Sequence, residues 1–169
     1  MSALIKLIDS ISEFLGKIIS YLVYVLLIVV VFEVISRKVF GSPTVWGFEF
    51  SFMLYAVMFM LGFGFTLKHK MHIGIDIFYS NMSPRKQGFL DLFTYIIFFF
   101  PFIYFAVVSS ITFTSQSWQM LEHSQSPWAP PIYPFKTVMP VAFLLLGFQG
   151  IAEFLKAIYK IKTGEKYGA

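Results

Sequence analysis

The feature that most constrains this chain is a run of 30 residues, 92–121, without a single charged side chain. A helix of that length would extend about 45 Å, which is longer than the roughly 30 Å hydrocarbon core of a bilayer. A second uncharged run covers residues 50–67, and charged residues make up only 13% of the chain. Soluble domains use about 25%. The sequence is therefore suited to a lipid bilayer, and four spans with short connections would use nearly all of its 169 residues.

Apolar runs separated by charged or proline-containing segments predict an all-α membrane protein with four transmembrane helices. These helices are expected over residues 18–36, 44–67, 89–117 and 134–157. Ser42 and Pro43 are the expected N-terminal cap and first residue of the second helix, and Pro101 allows a kink in the third. Residues 1–17 alternate apolar and charged side chains at three- and four-residue spacing, which predicts an amphipathic helix at the membrane surface that runs into the first span.

The connection between the third and fourth helices, residues 118–133, is rich in proline. Proline lacks an N–H and favours an extended backbone, so we expect a stiff, extended strap outside the lipid. Its prolines are Pro127, Pro130 and Pro131, and Pro134 follows directly at the start of the predicted fourth helix.

Basic residues predict the orientation, because they are enriched in cytoplasmic connections. Ten of them flank one side of the predicted spans: Lys6, Lys17, Lys68, Lys70, Arg85, Lys86, Lys156, Lys160, Lys162 and Lys166. The other side has only Arg37, Lys38 and Lys136. Both termini, the 68–88 loop and the 158–169 tail are therefore predicted to be cytoplasmic. The basic residues lie at membrane edges, so the formal charge of +4 indicates no nucleic-acid partner.

Two carboxylates beside aromatic or basic residues are candidate contact residues. Glu33 lies four residues before Arg37, a spacing that allows an ion pair on one helix face. A contact with a partner chain and a role in ion or proton transport are the alternatives. Glu49 follows Trp46 by three residues at the start of the second helix, where the helix dipole favours a carboxylate. It could equally make a polar contact to another subunit, with Trp46 anchoring the chain at the lipid interface.

Nothing in the sequence indicates a catalytic, cofactor or metal site. The chain has no cysteine, and no predicted span contains a histidine that could hold haem. His72 and Asp76 could share one face of a short helix, but a metal site needs more converging ligands. The spans also lack the interrupted, polar pattern expected where a transporter holds its substrate.

An ordered set of motifs runs through residues 30–90. Arg37 precedes Val-Phe-Gly at 39–41, Trp46 and Glu49 form a Trp-x-x-Glu pattern, Gly62 lies within the second span, and His72 and Asp76 form a His-x-x-aliphatic-Asp pattern. In order and spacing, and in the four-span layout, the chain resembles the DctQ-type small membrane subunit of tripartite ATP-independent periplasmic (TRAP) transporters. It departs from that family at 63 and 64, which are Phe and Gly where alanines are usual.

The resemblance implies a non-catalytic subunit in a bacterial inner membrane. It would support a large multi-span subunit that carries the substrate and sodium sites, while a periplasmic binding protein delivers an organic acid. The end of the chain at Ala169 suggests the separate-subunit form. On the periplasmic side, Trp128 and Tyr133 are residue types that contribute strongly to interfaces. One alternative is a membrane anchor for a haem- or quinone-linked redox enzyme, and another is a small self-assembling exporter or channel.

Overall fold

The computed structural model describes residues 2–71, 79 and 81–165. In this part of the chain the regular secondary structure is helical, apart from one isolated bridge between His123 and Pro131. The helices are α1 (Ser2–Lys38), α2 (Gly47–Leu61), α3 (Phe63–Lys68), α4 (Pro84–Thr94), α5 (Phe100–Gln119), α6 (Tyr133–Lys136) and α7 (Val138–Thr163), and a π-helical turn (Tyr95–Phe99) joins α4 to α5.

Four helical units within these described residues are long and apolar enough to cross a membrane. They are Ser2–Lys38, Gly47–Lys68, Pro84–Gln119 and Tyr133–Thr163. The prediction of an all-α chain with four helices of spanning length is confirmed. Each unit overlaps one of the predicted spans, and the third begins five residues before its predicted start at 89.

Helix α1 is one continuous helix of 37 residues, so the predicted surface segment and the first span are not separated. Ile5 and Ile8 are buried, and the Ser12 hydroxyl donates a hydrogen bond of 2.6 Å to Gln149 Oε1 on α7. Part of the apolar face of this segment, at Ile5 and Ile8, thus packs on protein, whereas Leu4, Ile11 and Phe14 are exposed. Its position at a membrane surface stays a prediction.

The second helix does not start where the sequence predicted. The expected cap at Ser42-Pro43 is wrong, because α2 begins at Gly47. The Thr44 hydroxyl oxygen accepts a hydrogen bond of 3.0 Å from the Gly47 N–H and so satisfies one of the unpaired donors at the helix start. The backbone between Gly41 and Trp46 therefore stays non-helical.

The irregularity in the third unit is the π-helical turn, which ends at Phe99, two residues before Pro101. A proline inside a regular α-helix lacks one N–H and its ring clashes with the carbonyl four residues earlier, and a π turn relieves this conflict. The turn also directs Phe99 towards α7. A Cβ added at Gly150 would lie 2.0 Å from the Phe99 ring, so a larger residue there would require this ring to move.

The proline-rich connection is not an extended strap, so that prediction is wrong. The Ser124 N–H donates to the Pro130 carbonyl at 2.9 Å, and the Ile132 N–H donates to the Glu122 carbonyl at 2.8 Å. Residues 122–132 thus fold back on themselves. Proline tolerates this pairing because its carbonyl still accepts a hydrogen bond although it has no N–H to donate.

Helix α7 is the centre of the packing. In its most apolar stretch 39% of the residues are buried, against 6% in the α2–α3 unit. It contacts α1, α2, α3, α4, α5 and α6. The other helices therefore pack around α7 and leave much of their own apolar surface uncovered.

Ion pairs show which helix ends lie at the same end of the helix bundle. Glu13 on α1 pairs with Lys68 on α3 at 2.6 Å, and Lys160 on α7 pairs with Asp91 on α4 at 3.2 Å. Lys156 on α7 also pairs with Asp9 on α1 at 2.9 Å. The start of α1, the end of α3, the start of α4 and the end of α7 therefore lie together, and we call this the terminal end. The opposite end carries Trp46, Trp118 and Trp128 and is called the tryptophan end. This grouping agrees with the basic asymmetry of the sequence, whereas the side of the membrane on which each end lies stays a prediction.

Candidate functional site

The tryptophan end contains a clamp centred on the carboxylate of Glu33, which is 8% exposed. Arg37 Nη2 donates to Glu33 Oε1 at 2.9 Å, so the predicted ion pair is present. The other carboxylate oxygen accepts hydrogen bonds from both the backbone N–H of Thr44, at 3.3 Å, and the Thr44 hydroxyl. One side chain therefore fixes the end of α1 to the segment that begins α2.

Gly47 makes this close approach possible. A Cβ at this position would lie 2.6 Å from Glu33 Oε2 and 2.5 Å from Thr44 Oγ1, so either of these side chains would have to move and the clamp would open. Sequence analysis missed Thr44 and Gly47, because nothing in their local pattern relates them to a carboxylate on the preceding helix.

Trp46 packs within the same junction. Its ring stacks on Phe32 of α1, with centroids 6.1 Å apart and planes inclined by 18°, and meets Phe50 of α2 edge-on at 6.1 Å. The predicted interface tryptophan thus also joins α1 to α2. Its contact with lipid stays a prediction.

Glu49 connects the start of α2 to the proline-rich loop. It lies in the first turn of α2, and its Oε2 accepts a hydrogen bond from the Ser126 hydroxyl. From the sequence, we expected Glu49 to interact with the helix dipole or with another subunit. In the structure its carboxylate has a partner in its own chain, which lies 77 residues away. Sequence spacing gives no signal for a contact of this kind.

The base of the proline-rich loop is held by Glu122. It accepts hydrogen bonds from the Lys136 ammonium and, at 2.6 Å, from the Ser117 hydroxyl. The Lys136 bond, followed by that of Ser117, lowers the pKa of the Glu122 carboxyl from 4.5, so this group is ionised at neutral pH. Lys136 also lies 4.1 Å from the centroid of the Phe113 ring.

The two aromatic residues predicted as interface residues have different environments. Tyr133 is half-buried, and its ring packs edge-on against Trp118 at 4.7 Å. Trp128 is 38% exposed on the folded-back loop. Of the two, Trp128 is the more exposed, while Tyr133 packs against Trp118 of α5.

His72 and Asp76 lie outside the described residues. The neighbouring His69 is described, and its Nε2 lies 3.0 Å from Glu13 Oε2, beside the Lys68 ion pair. Across residues 2–71, 79 and 81–165, no group of three or more histidine, aspartate or glutamate side chains is placed to hold a metal ion. The carboxylates described above are all occupied by contacts that fasten one helix or loop to another.

Residues 26–159 match the protein family described as "Tripartite ATP-independent periplasmic transporters, DctQ component". The chain is 28% identical, over 96% of its length, to the sialic acid TRAP transporter permease protein SiaT of Haemophilus influenzae (strain 86-028NP). It is 31% identical, over 46% of its length, to the C4-dicarboxylate TRAP transporter small permease protein DctQ of Vibrio cholerae. The chain spans 25% of the first relative and 32% of the second.

The clamp makes a prediction that separates its two charged members. Glu33→Ala removes the acceptor for Thr44 as well as for Arg37, and a buried donor without an acceptor is costly. Arg37→Ala removes a side chain that is 56% exposed, and pairs with such a partner contribute little. The midpoint temperature of unfolding in detergent should therefore fall roughly twice as far for Glu33→Ala as for Arg37→Ala. Equal losses would show that the ion pair, and not the bonds to Thr44, is what the clamp contributes.

Proposed function

This chain belongs to the DctQ component family of tripartite ATP-independent periplasmic transporters, and we propose that it is the small membrane subunit of such a transporter in a bacterial inner membrane. Membership makes it a transport component rather than an enzyme or the anchor of a redox enzyme. In the proposed role it supports a large membrane subunit during sodium-driven uptake of an organic acid that a periplasmic protein delivers. The names of the two relatives, which refer to sialic acid and C4-dicarboxylates, favour a carboxylic acid as substrate. The family match over residues 26–159 carries the proposal.

The use of buried polar groups supports a role in scaffolding. Gln149 is fully buried, accepts from Ser12, and donates to Asp9 at 2.9 Å and to Glu153 at 3.3 Å. Lys156 completes this polar network by forming ion pairs with Asp9 at 2.9 Å and with Glu153 at 2.6 Å. A substrate path needs polar groups that can exchange partners with the substrate, whereas these are engaged with one another.

One face of α2 is suited to packing against a larger membrane protein. Phe52, Tyr55 and Phe59 follow each other at helical spacing and are 56–62% exposed. Within a membrane, helices associate through close van der Waals packing, and large aromatic side chains provide extensive contact area. We call these three residues the aromatic stripe and propose that the large subunit packs on it.

The proline-rich loop is the proposed docking point for the binding protein. Its backbone is held by the Ser124–Pro130 and Ile132–Glu122 hydrogen bonds, and Ser126 fastens it to Glu49. A loop that is already ordered loses little entropy on binding, and tryptophan is a typical interface anchor. Trp128 is thus the residue on which docking is proposed to depend.

The proposed orientation places the tryptophan end in the periplasm and the terminal end in the cytoplasm. Because the chain has no cysteine, single cysteines at Gln125 and Glu165, which are both exposed, can report the two ends. A membrane-impermeant thiol reagent on whole cells should label position 125 and spare position 165. The reverse labelling pattern would show that the orientation is inverted. Both positions carry polar or charged surface side chains, so their replacement should leave the fold intact.

Replacing the aromatic stripe tests the face on which the large subunit packs. The triple substitution of Phe52, Tyr55 and Phe59 by alanine should lower the amount of large subunit that co-purifies in mild detergent several-fold. The matched control is the equally exposed aromatic face of the third unit, where Phe98, Phe102 and Phe105 are replaced by alanine. Loss in the control with retention in the stripe variant would assign the contact to the other face.

The docking proposal predicts a defect that more binding protein can overcome. Trp128→Ala should raise, several-fold, the concentration of binding protein needed for half-maximal uptake, because a central aromatic anchor is lost. The two membrane subunits should still co-purify. Phe14→Ala, which removes a more exposed ring from the terminal end (65%, against 38% for Trp128), should leave that concentration unchanged. An unchanged requirement in the Trp128 variant would rule out a role of this residue in docking.

A further inference from the structure

A cavity of about 290 Å³ opens between α1 and α2 at the tryptophan end. Its walls are mainly apolar and include Val30, Val34 and Phe48, while Arg37 and Lys38 lie at the end of α1 that borders it. From Val30 to Lys38 the helix advances about 12 Å, close to the depth of hydrocarbon in one leaflet. The cavity therefore leads from the level of the lipid headgroups into the acyl-chain region.

The charge at this end of the cavity is positive. Glu33 also lines the cavity, but its two oxygens are taken by Arg37 and Thr44. Lys38 is exposed and forms no ion pair with the residues that the structure describes. Arg37 uses Nη2 for Glu33 and carries further N–H donors, as every guanidinium does. One uncompensated positive charge and spare guanidinium donors thus lie beside an apolar groove.

An occupant of this groove must combine an apolar chain with an anionic group. Water does not fill apolar cavities, and a small hydrophilic anion would leave the Val30, Val34 and Phe48 walls uncovered. A second cavity, of about 340 Å³, lies farther along the same pair of helices and is lined by Ile19, Tyr55 and residues near them. No lysine or arginine lines it, so the cationic mouth distinguishes the first cavity.

We propose that the cavity between α1 and α2 binds one anionic phospholipid, with the phosphate at Lys38 and Arg37 and an acyl chain along Val30, Val34 and Phe48. The site goes beyond the proposed support of a large subunit, and it requires only that these helices span the bilayer. The aromatic stripe lies on α2 nearer the middle of the membrane, so a lipid in the cavity would border that face without covering it.

The headgroup contact can be tested by exchanging the purified protein, in mild detergent, into phosphatidylglycerol or phosphatidylcholine. Native mass spectrometry then counts the phospholipids that remain bound. The wild type should retain one phosphatidylglycerol more firmly than phosphatidylcholine, and Lys38→Gln should lower phosphatidylglycerol retention several-fold while leaving phosphatidylcholine unchanged. Lys6→Gln is the matched control, since Lys6 is also exposed on α1 but lies at the opposite end. Equal retention by the Lys38 and Lys6 variants would overturn the assignment of the phosphate.

A second variant tests the acyl-chain contact without altering charge. Val34→Trp places a large side chain in the cavity and should lower retention of both lipids several-fold, with the large subunit still co-purifying. Unchanged lipid retention would overturn the site. Loss of co-purification in this variant would show that a protein helix fills the groove, which would also overturn the lipid assignment. Because the Lys38 variant leaves the aromatic stripe intact, its lipid readout is independent of whether the proposed subunit contact is correct.

Discussion

Gln149 lies fully buried on the central helix α7, and its amide joins Ser12 and Asp9 of α1 to Glu153 of α7. In a low-dielectric environment an unpaired amide or carboxylate costs far more than it does in water, so these groups hold α1 in the one register that pairs them. Shifting α1 by a turn would move Asp9 about 5.4 Å and leave Lys156 with less negative charge to neutralise. The other helices pack around α7, and so they depend on the fixed arrangement of α1 and α7.

The Glu33 clamp fixes α1 a second time, at the opposite end. From residue 18 to residue 32, between the two polar clusters, α1 carries no charged side chain, and Tyr21, Tyr24 and Ile28 are all more than half exposed. A helix that is fastened by polar contacts at both ends can leave its middle uncovered without losing its place. In α1, the polar contacts at the two ends stabilise the fold, and the apolar surface between them is available to lipid or to a partner.

The sequence predicted those features that depend on local spacing. Uncharged length located the four spanning units, and the i, i+4 rule found Glu33 with Arg37. It failed at the start of α2, where the Thr44 hydroxyl accepts from the Gly47 N–H and the helix begins later than expected. It also failed where contacts join distant parts of the chain, as the amide of Gln149 does with Ser12 and Asp9. The proline-rich loop was mispredicted for a related reason. The prediction of an extended strap relied on the N–H that proline lacks, whereas in the fold the Pro130 carbonyl accepts a hydrogen bond from the Ser124 N–H.

The distribution of charge bears on how a soluble partner could approach the tryptophan end. Three basic and three acidic residues belong to that end, namely Arg37, Lys38, Lys136, Glu33, Glu49 and Glu122, so the described residues of that end carry no net formal charge. Two of the three acids are consumed in ion pairs, and Glu49 is bonded to Ser126. A face without net charge provides little long-range steering for a protein that diffuses towards it. Docking there would have to rely on shape and on aromatic contact, which makes the exposed ring of Trp128 more important than any of these charges. The isolated positive charge of Lys38 acts over a shorter range, and a phospholipid phosphate, already held at the depth of the helix end, is the anion best placed to use it.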